Sequence, residues 1–236
     1  QRKTWLARSL NLRNRQRKKL PELAAIWLTL QLSLVTTLAL LLIGLPFAWW
    51  LSNQTGGLRT TLETLTSLPL VMPPTVIGFY LLIMMSPDTF LGGLWLDLTG
   101  DTLTFSFAGL VVASIIYSLP FMIQPLLNAF ESVDPKLKEA AGDLGASTAE
   151  IFRYLILPLS KRGIITGGIL TFAHTVGEFG IVLMVGGNIP GETRVISIAL
   201  YEKVEILNYA EAHILSVTLL TFSFLVLFIT YSLNKM

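Results

Sequence analysis

Cysteine is missing from the 236 residues, which removes disulfides and thiolate metal sites and leaves the redox compartment open. Histidine occurs only at His174 and His213, without paired ligand spacing, so no metal site is expected. No G-x-x-x-x-G-K-[ST] phosphate loop is present, so the chain has no means of cradling ATP in the usual way, and no catalytic residues are assigned. Charge is scarce too, at 14% of residues against 53% hydrophobic, with a mean hydropathy of +0.65. These proportions describe an all-α membrane protein, one polytopic helical bundle with no room for a second domain.

Acid is absent from the first twenty residues, which hold eight of the 17 Lys and Arg. The apolar stretch after this run is too long for the core of a signal peptide and shows no clear small-residue cleavage site, and a start at Gln1 points to a processed or trimmed terminus. Beside a hydrophobic span the run reads as a lipid-surface segment rather than a nucleic-acid-binding one. The chain therefore divides into a basic segment, 1–22, and a transmembrane domain, 23–236.

Five spans are expected. The first is the uncharged stretch from Leu23 to Leu58, with Trp27 and Trp49-Trp50 as interface anchors. The second, Thr64 to Pro87, is broken, because Pro69, Pro73 and Pro74 remove backbone donors and disfavour helix at their predecessors. Irregular backbone at membrane depth survives inside the protein or along a water-filled cavity, so a kinked helix and a gate lining both remain open readings. Asp88, Asp97 and Asp101 then mark an extracytoplasmic loop, followed by span three (Thr102 to Phe130, with Pro120 and Pro125), span four (Gly163 to Val185) and span five (Ala212 to Leu233). Five basic residues between Glu131 and Arg162 place that loop in the cytoplasm. Parity then puts the amino terminus outside, against the bias of its own basic run.

The charged island from Asp134 to Pro158 is the most informative stretch. Asp134 is a good N-cap with Pro135 at the first helical position. Leu137, Ala141 and Leu144 recur at helical spacing beside Ala140, while Lys136, Lys138, Glu139 and Asp143 decorate the other face. Gly145 is placed to end that helix, next to Ala146, and Ser147 with Glu150 forms a capping box for a second helix, IFRYLIL, ending at Pro158. The string Glu139-Ala140-Ala141, Gly145 and Leu155-Ile156-Leu157-Pro158 resembles the EAA loop of ABC importer permeases. In that family the first helix couples the membrane bundle to a separate ATPase, and the resemblance carries that role to Asp134, Leu137, Glu139, Ala140, Ala141, Leu144, Gly145 and Ala146.

Three further stretches narrow the resemblance: LPLVMPPTVIGFYLL from Leu68, TFSFAGLVVASIIYSLPFMIQPL from Thr104, and HTVGEFGIVLMVGGNIPGETR from His174. With the EAA string they look like molybdate ABC permeases, over about Leu23 to Glu205. That implies a type I ABC importer fold, a homodimer of this subunit, two cytoplasmic ATPase subunits that use ATP and Mg, and an extracytoplasmic binding protein delivering molybdate, often tungstate too. Sulfate/thiosulfate permeases share the loop and are the nearest alternative. A secondary transporter without an ATPase is a second class, but no internal repeat supports it.

For the pathway, Glu178 is the only acid in its apolar segment and either faces the bundle interior as a functional group or serves as a structural carboxylate at a bend flanked by Gly177 and Gly180. No basic residue lies deep in a span. A weak path is expected, lined by the hydroxyls of Thr75, Ser118 and Thr175 and by backbone near Pro69, Pro73, Pro74, Pro120 and Gly177, with selectivity set by the binding protein.

Overall fold

The computed structural model describes the backbone of residues 2–235 and the side chains of residues 22–232. The side of the membrane taken by the basic run at the front lies outside those side chains. Every described element is helical: α1 (Arg2–Ser52), α2 (Gly56–Ser67), a 3₁₀ turn (Leu68–Leu70), α3 (Pro74–Met84), α4 (Phe90–Thr99), α5 (Phe107–Glu131) and α6 (Pro135–Asp143). Then come α7 (Thr148–Glu150), a π-helical turn (Ile151–Ile156), α8 (Leu157–Leu159), α9 (Lys161–Gly177), α10 (Gly180–Gly186), α11 (Ile196–Glu205) and α12 (Tyr209–Lys235).

Three stretches, Glu22–Ser52, Phe107–Glu131 and Tyr209–Ser232, are long and apolar enough to cross a bilayer, and two bent helix pairs raise the number to five if each is one crossing. The expected first span is shorter than its uncharged run, ending at Ser52 rather than Leu58. Asn53 donates to the Trp49 carbonyl at 2.6 Å and Gln54 to that of Trp50 at 3.3 Å, so polar side chains close the last turn. The second span is broken as its prolines require: the segments on either side of Leu70 and Pro74 meet at 106°. Pro74 sits at the start of α3, where its missing N–H is harmless.

Other boundaries also differ. Span three begins at Phe107 instead of Thr102, because Ser106 caps it by accepting from the Gly109 N–H at 3.1 Å. The acidic segment expected to be extracytoplasmic contains a helix, α4, capped by Thr89 and closed by Gly100 at φ 79°. Span four is not continuous to Val185: α9 stops at Gly177 and α10 starts at Gly180, with Glu178 in extended conformation between them. The second helix of the charged island does not stop at Pro158 but runs to Leu159 through the wide turn at Ile151–Ile156, where Pro158 lacks the N–H that a regular helix would give to the Tyr154 carbonyl.

Three apolar cores fill the bundle, the smallest of them Ala25, Ile196, Ala199 and Leu215. Of the larger two, one joins Leu28, Leu81, Leu110, Ile181 and Val185, where α3 and α10 lie close: a Cβ on Gly78 would meet the Met184 Cβ at 2.8 Å. The other joins Leu40, Leu51, Met122, Phe130 and Ile156 at the end of the bundle that carries α6. At the opposite end Lys203 pairs with Glu22 at 3.5 Å and Glu211 at 2.5 Å, tying the first residue of α1's apolar stretch to α11 and α12.

Candidate functional site

The charged island folds as its local signals dictate. The Asp134 side chain accepts from the Lys136 N–H at 2.9 Å. Gly145 takes φ 89°, the left-handed region open to glycine, and α6 ends in a Schellman arrangement: Ala146 N–H to Ala141 O at 3.0 Å and Gly145 N–H to Gly142 O at 2.9 Å. Ser147 and Glu150 make both bonds of the capping box, and a hydrogen bond from the Ser147 hydroxyl at 2.7 Å, with the one from the Ser147 N–H at 2.8 Å, holds the exposed Glu150 carboxyl below the ordinary glutamate range.

Nothing in α6 is buried. Leu144 is 89% exposed and Leu137 47%, and Tyr154 is exposed beside them. A concavity of about 390 Å³ opens between α6 and the next helix, lined by Ala141, Leu144, Gly145, Ala146, Ile151 and Tyr154. Apolar groups held in water by self-contained caps form a surface built for something else to cover.

The second constellation surrounds Glu178. Its carboxyl is 3% exposed and accepts from Ser114 Oγ at 2.6 Å and Ser118 Oγ at 2.7 Å, both on α5. His174 Nδ1, one turn earlier on α9, lies 3.4 Å from Glu178 Oε1 and 2.9 Å from Ser118 Oγ. The imidazole stacks on Phe121 with centroids 3.9 Å apart and tilts against Tyr117. Ser118 also lies 3.0 Å from Thr175 Oγ1, and the Glu178 carbonyl accepts from Ser197 Oγ of α11. A carboxyl without partners at this depth is costly, and the two serine hydrogen bonds with the adjacent imidazole offset that cost.

The structure thus brings Ser118, Thr175 and Glu178 into one buried cluster and sets Gly177 on its exposed edge. Pro120 is buried within an unbroken α5, and Pro69 is buried in the 3₁₀ turn. Pro73 and Thr75 are exposed at the start of α3; Pro74 contacts the break from the other side, 3.0 Å from where a Cβ on Gly180 would stand. Ser114, His174 and Ser197 were missed by sequence reasoning. The i, i+4 spacings of Ser114 with Ser118 and of His174 with Glu178 carry the signal for the first two, whereas Ser197 has none.

A family described as "Binding-protein-dependent transport system inner membrane component" matches residues 40–236. The chain belongs to this family. It is accordingly the non-catalytic, multi-pass inner-membrane permease of an ABC importer, and such a component works with an ATPase and a binding protein. This permease is 51% identical over 214 residues, 91% of its length and 95% of the other's, to the molybdenum transport system permease protein ModB of Azotobacter vinelandii. It is 31% identical over 205 residues, 87% of its length and 74% of the other's, to the sulfate transport system permease protein CysT of Escherichia coli strain K12. Its fold matches a chain of the MetNI methionine ABC transporter in an inward-facing conformation, with TM-score 0.72 at 19% identity over 93% of this permease and 97% of that chain.

Proposed function

We propose that this permease carries molybdate, and tungstate with it, as a homodimer bound to two ATPase subunits and fed by an extracytoplasmic molybdate-binding protein. The observation that supports the assembly is the loop 134–158: a helix with no buried residue, fixed by its own caps, projecting from the end of the bundle where α1 and α5 finish. For the cargo, the likeness to the Azotobacter vinelandii molybdenum permease exceeds that to the sulfate permease by twenty points of identity, 51% against 31%.

ATP and Mg belong to the partner, since this sequence has no phosphate cradle. ATP draws the two ATPase subunits together, each α6 moves with the subunit it seats on, and the paired bundles exchange inward-open and outward-open states; hydrolysis resets them. Asp134, Leu137, Glu139, Ala140, Ala141, Leu144, Gly145 and Ala146 form the contact. A dianion gains nothing from the buried Glu178 carboxylate, so that group acts by holding the α9–α10 break rather than by binding cargo, and the anion passes over weakly polar surface such as Thr75.

The test is uptake of radiolabelled molybdate at nanomolar concentration in cells with and without the gene, together with purification of the permease. Loss of uptake in the deletion, competed by tungstate and not by sulfate, with an ATP-hydrolysing subunit co-purifying, is the expected result. Intact molybdate uptake with impaired sulfate uptake would move the cargo to the sulfate class. Uptake that persists without any ATPase would replace the importer by a secondary transporter.

A further inference from the structure

We infer that Trp49, gripped by Phe152 and Lys138, is the joint through which movement of α6 reaches α1; this rests on the reading of 134–158 as the ATPase-facing loop. Any rocking of the bundle needs α1 and α5 to follow α6 together. For α5 the link is the chain itself: Ser132 N–H still bonds the Asn128 carbonyl at 3.1 Å, and Val133 is buried just before the Asp134 cap. α1 is separated from the loop by four helices of the chain, and α6 buries none of its own residues against the bundle. A displacement of α6 therefore reaches α1 only through side chains.

Deeper in the bundle Leu40 and Leu51 of α1 share a core with Met122 of α5, but at the α6 end the contacts meet on one indole. Phe152, in the π-helical turn, stacks on Trp49 with centroids 5.4 Å apart and planes 29° from parallel. Phe130, at the end of α5, meets the same ring edge-on at 6.2 Å and 89°, and meets Phe152 at 6.0 Å and 78°. Lys138 of α6 sets its ammonium 5.4 Å from the Trp49 centroid and donates to the Phe130 carbonyl at 3.4 Å. One ring each from α1, α5 and the return helix, closed by a cation from α6, make a unit whose parts shift together, because packed rings slide poorly past one another. Leu51 and Ile156 are fully buried beneath it.

A tryptophan at the end of a span ordinarily anchors the bilayer edge. Here the neighbouring Trp50, 45% exposed, is free for that role, and Trp49 is turned inward. Trp49 is a positioning residue, acting through Phe130, Phe152 and Lys138.

The experiment reconstitutes the complete complex with its binding protein in proteoliposomes and measures molybdate taken up per ATP hydrolysed. Trp49→Ala is expected to assemble and hydrolyse ATP while that ratio falls about tenfold, the loss that corresponds to one or two ring contacts and a cation–π pair. Trp49→Phe, which keeps a ring against Phe152, should stay within about twofold of wild type, as should Trp50→Ala. A wild-type ratio in Trp49→Ala overturns the joint. So does an equal loss in Trp50→Ala, which would make the effect a bilayer-edge one, or a Trp49→Phe as poor as the alanine. Should Trp49→Ala fail to assemble, Phe152→Leu takes its place with the same expectation and the same refutation. If the wild-type complex itself shows no ATP-linked uptake, the reading of the loop falls, and the joint with it.

Discussion

Replacing Gly145 by valine isolates a single backbone conformation at the coupling elbow. At φ 89° a residue with a Cβ is strained, and ~1–2 kcal/mol is the ordinary cost of the left-handed region, with β-branched side chains at the upper end. A Cβ at this position meets no atom of its own chain within 4 Å, so the cost is backbone strain alone. Refolding the elbow to escape it would break the two Schellman bonds and swing Ser147 and its capping box away from α6. At ~1.4 kcal/mol per factor of ten, the population of intact elbow falls about 5- to 30-fold in each copy. Asparagine tolerates this region far better than alanine or valine, so the expected order of molybdate uptake is Gly, Asn, Ala, Val. Initial uptake rates, with pull-down of the ATPase to follow assembly, give the series. Normal uptake in Gly145→Val would refute the coupling role of the elbow. Asparagine as damaging as valine would refute the strain reasoning, and would mean that glycine is needed for close approach to the partner.

Gly78→Leu should lower the melting temperature of the purified permease, since its Cβ alone would stand 2.8 Å from the Met184 Cβ where α3 packs on α10; an unchanged melt would show that this contact yields freely. Ser118→Ala removes one donor from the buried Glu178 carboxyl and should cost about 1–3 kcal/mol of stability, while a selectivity change for tungstate or sulfate, with stability unaltered, would contradict its structural role. Lys203, beyond the spans, has its pKa raised chiefly by the hydrogen bond to Glu211. The stabilisation is complete below the ordinary lysine value and is lost as pH rises through the raised one, so melts taken between about pH 9 and 12 should drop for wild type and stay flatter for Lys203→Met.

The fold of the charged loop 134–158 was legible because its signals are local. Asp134 before Pro135, Gly145 after the last apolar position, and Ser147 three residues before Glu150 each satisfy a donor or a dihedral within a few residues of themselves, so short windows of sequence suffice. The break in span two was legible for the same reason, through Pro73 and Pro74. The Glu178 cluster was half legible: the glycines beside it mark a bend, but the serines that hold its carboxyl lie 64 and 60 residues away. Trp49 misled, since a tryptophan at the end of a span is usually an anchor, and the ring that stacks on it lies beyond the whole of α6. The helix at Phe90–Thr99 was hidden behind the charge of three aspartates, although Thr89 and Gly100 bound it clearly.

What the fold places where bears on how a dianion could cross a bundle with no fully buried cation among the described residues. The hydroxyls of Ser114 and Ser118 are committed to the Glu178 carboxyl, and that of Thr175 donates to the Thr171 carbonyl at 3.0 Å, so these three hydroxyls are spent within the protein, while those of Thr36, Thr37 and Thr171 are buried without a partner. The three hydroxyls of the Glu178 cluster have no proton left to offer an anion. The cluster's value lies in the elements it joins: α5 through the serines, α9 and α10 through the break at Glu178, and α11 through Ser197. α10 in turn lies against α3, the second half of the broken span, at Gly180 and Gly78. The two interrupted spans are thus fastened to each other and to α5, and α5 leads through residues 132–134 into α6, the helix proposed to meet the ATPase. An importer whose binding protein supplies the selectivity needs this rigidity more than it needs affinity along the path, because tight binding midway would slow release.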